Sequence, residues 1–255
     1  MGCEYTSLAP FLDDSKRLTS LYIEHHQKGK QLGYTPVLMR QDMELEDYYW
    51  NYFHVPMSAV NYPALVKTIL QQALSKPYDA WRHDIYEKYL LDLQEGEDEE
   101  YERNLVEELT KIPSDEQYEA QVKSKPVKNL MIQKSGYWAL SDDGCRLDEY
   151  DVLALIPASH SYETLAWLPI GGFNWCPTPE YQVAFAKYFF ETYGADVMSV
   201  RPDQVEFYLN NSLLNQREVI EAARELTIMD NDKYQDMEIN PGMVYGKQWL
   251  YMWWD

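Results

Sequence analysis

The sequence predicts an α+β protein, with a helical N-terminal half packed against a C-terminal mixed β-sheet. Three observations carry that prediction. Residues 151–156 (DVLALI) are apolar almost throughout, as a strand covered on both faces is. ADVMSVR (195–201) and QVEFYLN (204–210) flank the turn Arg201-Pro202-Asp203-Gln204, which reads as a hairpin. Upstream of residue 130, apolar side chains recur at helical spacing among many acids. A length of 255 residues, with 45% hydrophobic and 25% charged side chains, suffices for a real core and suits a soluble globular chain.

Taken in order, Asp14-Ser15 caps a helix to about Lys28, with Gly29 and Gly33 closing it. Residues 34–40 (YTPVLMR) read as a short strand, and 44–53 (ELEDYYWNYF) as a partly buried helix with acids at its start. Asn61 and Pro63 open a helix to about Leu74, and Pro77 separates it from another over 78–93. Residues 94–109 hold eight acids against Arg103. Tyr101, Leu105, Val106 and Leu109 keep a helical stripe there, so the segment reads as a solvated helix face or a docking strip for a basic partner. Residues 114–128 read as one more short helix. The texture changes at 125–135, giving a mainly helical region 1–130 and a sheet region 131–255 that could also form one continuous unit.

In the second half, DVLALI is followed by a second expected strand, ETLAWL (163–168), and then by the loop LPIGGFNWCPTPE (168–180). Thr178-Pro179-Glu180 is a helix start: a capping residue, a residue preorganised for the first turn, and an acid that complements the dipole. That helix presents Val183, Ala186, Phe189, Phe190 and Tyr193 and ends at Gly194. After the hairpin, Asn215 and Glu218 start a helix carrying Val219, Ala222, Ala223 and Leu226. The run KQWLYMWWD closes the chain as an aromatic strand whose Trp249, Trp253 and Trp254 are expected in the core. The expected order is β-β-α-β-β-α-β.

A net charge of −20 disfavours nucleic acid and anionic membrane as partners and favours a basic protein. The acid is spread, with −9 over residues 151–255 and −11 over 1–150. No apolar run reaches the roughly 18 residues of a membrane helix. The start, MGCEYTSLAPFLDDSKR, lacks a basic-then-apolar signal, and Thr6 alone gives weak support for lipidation. Cys3, Cys145 and Cys176 are scattered and form no CxxC pair, so no disulfide framework or zinc knuckle is expected and a reducing cytoplasm is the default.

The loop is the least ordinary stretch. Gly171 and Gly172 permit unusual backbone angles, and the helix start at Thr178 is expected to offer unbonded N–H groups. A right-handed crossover would make 163–168 and 195–201 parallel. That topology would gather Asp148, Tyr150, Asn174, Cys176, Arg201 and Asp203 at one edge with the glycines. The loop is then either a structural turn or a small-ligand site made by Gly171, Gly172, Asn174, Cys176, Arg201 and Asp203. His160 and Cys176 would sit at opposite ends of the strand 163–168, about 20 Å apart, which disfavours a Cys–His dyad. His25 and His26, adjacent on a helix, point in two directions and lack metal spacing, and His54 and His83 read as surface or capping residues. No phosphate loop, HExxH, GxSxG or EF-hand motif is present, so no catalytic residue, metal or cofactor is expected.

On Pro169, Gly171, Gly172, Phe173, Asn174, Cys176 and Pro177, the helix that follows, and the terminal Trp253, Trp254 and Asp255, residues 151–255 resemble the bacterial domain-of-unknown-function family 4253. Weaker similarity extends to Gly33–Leu38, and the chain departs from the family's common form over 227–247. The resemblance implies a bacterial cytoplasmic protein and supplies no activity. The expectation is a non-enzymatic acidic binding protein, most concretely an immunity-type inhibitor of a basic toxin or nuclease domain. Its interface is expected at Glu95, Glu97, Asp98, Glu99, Glu100 and Tyr101 within the strip 95–108. The alternatives are an enzyme or small-molecule binder using the Gly171–Cys176 loop, and a structural module of a larger assembly.

Overall fold

Neighbouring residues on the central strands face opposite ways into two separate apolar clusters, and this sorting sets the architecture. Val37, Ala154, Val197 and Phe207 enter one cluster, while Leu38, Leu153 and Met198 enter the other. The period-2 alternation of extended backbone produces that split. The computed structural model describes residues 4–9, 15–39, 61–85, 152–172, 176–230 and 241–254.

Six strands form one mixed sheet: β1 (Glu4–Ser7), β2 (Thr35–Met39), β3 (Val152–Ile156), β4 (Ala195–Arg201), β5 (Gln204–Leu209) and β6 (Trp249–Trp253). Their order is β1-β3-β2-β4-β5-β6, and the α+β class expected from the sequence is observed. Every pairing is antiparallel except β2 with β4, which run parallel with Leu38 opposite Ser199. A bulge between Val197 and Ser199 interrupts the β4–β5 ladder.

On one face lies α1 (Ser15–Leu32), placing Leu18 and Tyr22 on Leu38, Leu153 and Met198. The other face carries the larger core, under α2 (Tyr62–Ala73), the short α3 (Thr164–Trp167), α4 (Pro179–Tyr193) and α5 (Gln216–Met229). Phe185 and Phe189 of α4 meet at 4.3 Å between ring centroids, and both reach Phe207 of β5 at 5.9 Å. All three rings are fully buried. Each such burial contributes about 1.5–3 kcal/mol.

Among the described residues most of the expected elements form, while the helices expected over 44–53, 94–109 and 114–128, and the end of the one expected over 78–93, lie outside them. Asn61 accepts from the Ala64 N–H and caps α2, and Asn215 accepts from Arg217 and Glu218 to cap α5. Gly194 ends α4 in the left-handed conformation. α1 runs four residues beyond Lys28, because Gly33 alone closes it, and Gly29 lies inside the helix.

The main correction concerns ETLAWL. Residues 161–163 form a 3-10 turn, and 164–167 continue as α3. The Glu163 carboxylate accepts from the Ser159 N–H at 2.9 Å, the Thr164 hydroxyl donates to Ser161 O at 2.5 Å, and Thr164, Leu165, Ala166 and Leu168 are all fully buried. Such a run is apolar because it is buried all round. Residues 163–168 therefore do not pair with β4, whose parallel neighbour is β2. The strand β1 was not expected.

The C-terminal tryptophans fasten the far edge. Trp254 is buried, its indole N–H donates to Met229 O at 2.9 Å and its backbone N–H to Asp203 O at 2.9 Å. Trp249 and Trp253 are only half-buried. Trp254→Phe keeps the aromatic bulk and removes the donor to a buried carbonyl. Urea unfolding is expected to show a loss of about 1–3 kcal/mol.

Candidate functional site

The loop after α3 closes on itself. Gly171 has φ +106° and Gly172 φ +77°, conformations that a side chain makes costly. A Cβ on Gly171 would lie 1.8 Å from Pro177 O and 3.4 Å from Cys176 Sγ. The Gly172 N–H donates to Cys176 O at 3.0 Å. Both glycines thus serve the approach of one end of the loop to the other. Cys176 is 1% exposed, within the larger core, and Gln182 Nε2 donates to its sulfur at 3.5 Å.

The start of α4 offers fewer donors than the sequence suggests. Pro179 has no N–H, and the Tyr181 and Gln182 N–H groups both donate to Thr178 O, at 3.0 and 3.1 Å. Thr178 caps through its backbone carbonyl: its buried hydroxyl has no hydrogen-bond partner, nor does Gln182 Oε1. Arg201 and Asp203 lie in the β4–β5 turn, with the guanidinium Nε 3.8 Å from Asp203 Oδ1. Asp203 Oδ2 accepts from the Trp253 indole at 3.2 Å, which ties this turn to β6. Asn174, Asp148, Tyr150, Cys3, Cys145, His54, Asp255 and the acidic strip with Glu95, Glu97, Asp98, Glu99, Glu100 and Tyr101 lie outside the described residues.

His160 and Cys176 are kept apart by α4, not by a strand. The imidazole packs on Phe190 at 5.7 Å, whereas the cysteine sulfur contacts Gln182. Eight residues of helix, about 12 Å, separate those two positions.

A polar cluster missed in the sequence lies at the start of β4. His26 Nε2 is 2.6 Å from Asp196 Oδ2, and both residues are buried. Asn210 Nδ2 donates to the same oxygen at 3.2 Å, and Lys30 Nζ stands 4.0 Å away. The Ser161 hydroxyl faces this carboxylate and stabilises its charge without completing a hydrogen bond of ordinary geometry. Burial pushes the Asp196 carboxyl up, but the bond and charge of His26, with Ser161 and Lys30, outweigh it and hold the group below the usual carboxylate range. Tyr22 stacks on His26 at 6.0 Å, and Tyr208 meets both rings edge-on. Burial, then Asp196 and Tyr208, push the Tyr22 phenol well up.

This arrangement holds elements together. In a hydrolytic triad the serine hydroxyl bonds the imidazole, whereas Ser161 lies toward the carboxylate. A similar tie binds the helical residues 78–85 to α5, where the buried Glu225 accepts from Tyr78 at 2.8 Å and Arg82 at 2.9 Å. His25 contacts Tyr34 instead, so the two adjacent histidines do face different partners. A sequence signal for the cluster existed: His26 follows Leu18 and Tyr22 at four-residue steps, and Asp196 interrupts an apolar strand. Among the described residues, no group of three or more His, Cys, Asp or Glu is placed to hold a metal ion, and no helix is long and apolar enough to cross a membrane.

Residues 152–255 match the model of a family described as a domain of unknown function (DUF4253). No curated protein and no solved structure matches the chain.

The two glycine positions separate a conformational requirement from a packing one. At Gly33, with φ +77°, nothing lies within 4 Å of an added Cβ, so Gly33→Ala is expected to lose about 1–2 kcal/mol. Gly171→Ala adds a collision with a backbone carbonyl and is expected to lose on the order of 3–5 kcal/mol. Urea midpoints that rank the two variants equally would contradict the closed-loop account.

Proposed function

We propose that the protein is a non-enzymatic binding protein that engages a basic protein partner in the bacterial cytoplasm, in the manner of an immunity-type inhibitor neutralising a basic toxin or nuclease domain. The observation that carries this reading is where the charge lies. The chain carries a net charge of −20, and it is unevenly spread along the sequence. The span 86–151 alone carries −10. Many described surface acids are also paired locally: Glu24 with Lys28, Asp84 with Lys76, Glu191 with Lys187 and Glu221 with Arg217.

The folded core and the acidic span 86–151 suit different parts of such a task. The first supplies a rigid core, and the second supplies a field that attracts cationic surfaces and speeds their encounter. The glycine loop adds support, since two of its expected donors are bonded within the loop and helix start. A polyanionic surface competes for the basic cleft with which a nuclease holds phosphate backbone.

The test starts from capture on the full-length chain at low salt from the native host, followed by reconstitution with the purified captured protein. The expected complex is basic on the partner's side, and its association rate falls by about tenfold or more between 50 and 500 mM salt. Combining E95Q, E97Q, D98N, E99Q and E100Q is expected to slow association by a similar factor while leaving the urea midpoint in place. A complex indifferent to both salt and these substitutions would overturn the proposal.

A further inference from the structure

We propose that α1 is an acid-releasable strap, held on the sheet by the His26–Asp196 contact and freed when that carboxylate takes up a proton, while the strands beneath stay paired. The geometry supplies the asymmetry this needs. Strands β2 to β5 are joined by backbone ladders that no side-chain titration touches. The contacts of α1 include an apolar cluster, in which Leu18 and Tyr22 meet Leu8, Leu38, Leu153 and Met198 with Leu21 and Ile23 packed beside them, the His25–Tyr34 contact, and the polar pair of 2.6 Å. Two partners of Asp196, His26 and Lys30, belong to α1, whereas Asn210 and Ser161 stay with the sheet when α1 leaves.

The groups facing this contact are His26, Lys30 and Tyr22 of α1, Asp196 of β4, Tyr208 of β5, Asn210 just beyond it, and Ser161 of the 3-10 turn. Burial first, and Asp196 next, keep both phenols neutral throughout the acid range. The carboxylate is the group whose protonation differs between the docked and released states. Docked, its charged form is favoured and its pKa lies below the ordinary range. Released, it loses the two partners that α1 supplies, and its pKa moves back toward the ordinary value. The released state therefore binds a proton that the docked state resists. Docking is fully supported above about pH 4 and weakens as pH falls through the depressed value, by up to about tenfold per pH unit for one proton.

Amide hydrogen exchange on the full chain between pH 3 and 7, corrected for the intrinsic pH dependence of exchange, tests this directly. Peptides spanning 15–32 are expected to lose protection below about pH 4, by up to about tenfold per pH unit, while peptides spanning 195–209 keep theirs. Asp196→Asn is expected to abolish that pH dependence. His26→Gln keeps an amide donor but no charge, so it is expected to give weaker docking and a shallower profile, and it decides the question if Asp196→Asn does not fold. Simultaneous loss of protection in both peptides of the unmodified protein would overturn the strap. So would an unchanged pH profile in whichever variants fold.

Discussion

β2 enters the sheet between β3 and β4, although it lies at Thr35–Met39 and they begin at Val152 and Ala195. Both faces of the sheet are organised around that insertion. Val37 joins the large core under the helices, and Leu38 joins the smaller cluster beneath α1. The short connection through Gly33 and Tyr34 then brings α1 back over the sheet it has just helped to complete. Without β2, the ladders of β3 and β4 would each face a gap, because these two strands are not neighbours. The family match begins at the first residue of β3, so it spans the strands flanking the gap and omits the one that fills it. Closing a contact over so long a stretch of chain carries a large entropy loss before the ladder forms. The sheet therefore depends on β2, whose parallel pairing joins Leu38 to the distant Ser199.

Buried polar groups at the two ends of this scaffold act as registers. Asp196 links β4 to α1, the 3-10 turn and the end of β5, and Glu225 links α5 to the helical residues 78–85. Removing a carboxylate from water is costly, and its partners offset that loss more than they exceed it. Such pairs contribute little net stability. What they do is make one placement of each helix far better than its neighbours, since a slipped helix would leave a charge buried and unmatched. The glycine loop does the same job without charge: a backbone carbonyl occupies the space where any side chain at 171 would go.

The fold was legible where local chemistry agreed with burial. DVLALI, the hairpin around Pro202-Asp203, the cap at Asn215 and the Thr178-Pro179 helix start all carry signals that depend on a few adjacent residues. ETLAWL was misread because a short apolar run buried on all sides has no periodicity to tell strand from helix. Its helical choice is made by the Glu163 carboxylate reaching back to Ser159, one hydrogen bond that spacing alone does not reveal. The edge strand β1 has only four residues, mostly exposed, and its pairing is set by the β3 edge it meets. The His26–Asp196 pair joins positions 170 residues apart, so each half was visible as a polar residue in an apolar stripe, while the partnership was not.

The placement of charge follows from the same packing logic. The described acids are balanced by lysines and arginines, often four residues away on the same helix. Such pairing limits repulsion around a fold that contains Asp196, Glu206 and Glu225 as buried acidic residues. Each of those carboxylates has a polar partner of its own, His26 for Asp196, Ser199 for Glu206 and Arg82 for Glu225, which offsets the loss of water around it.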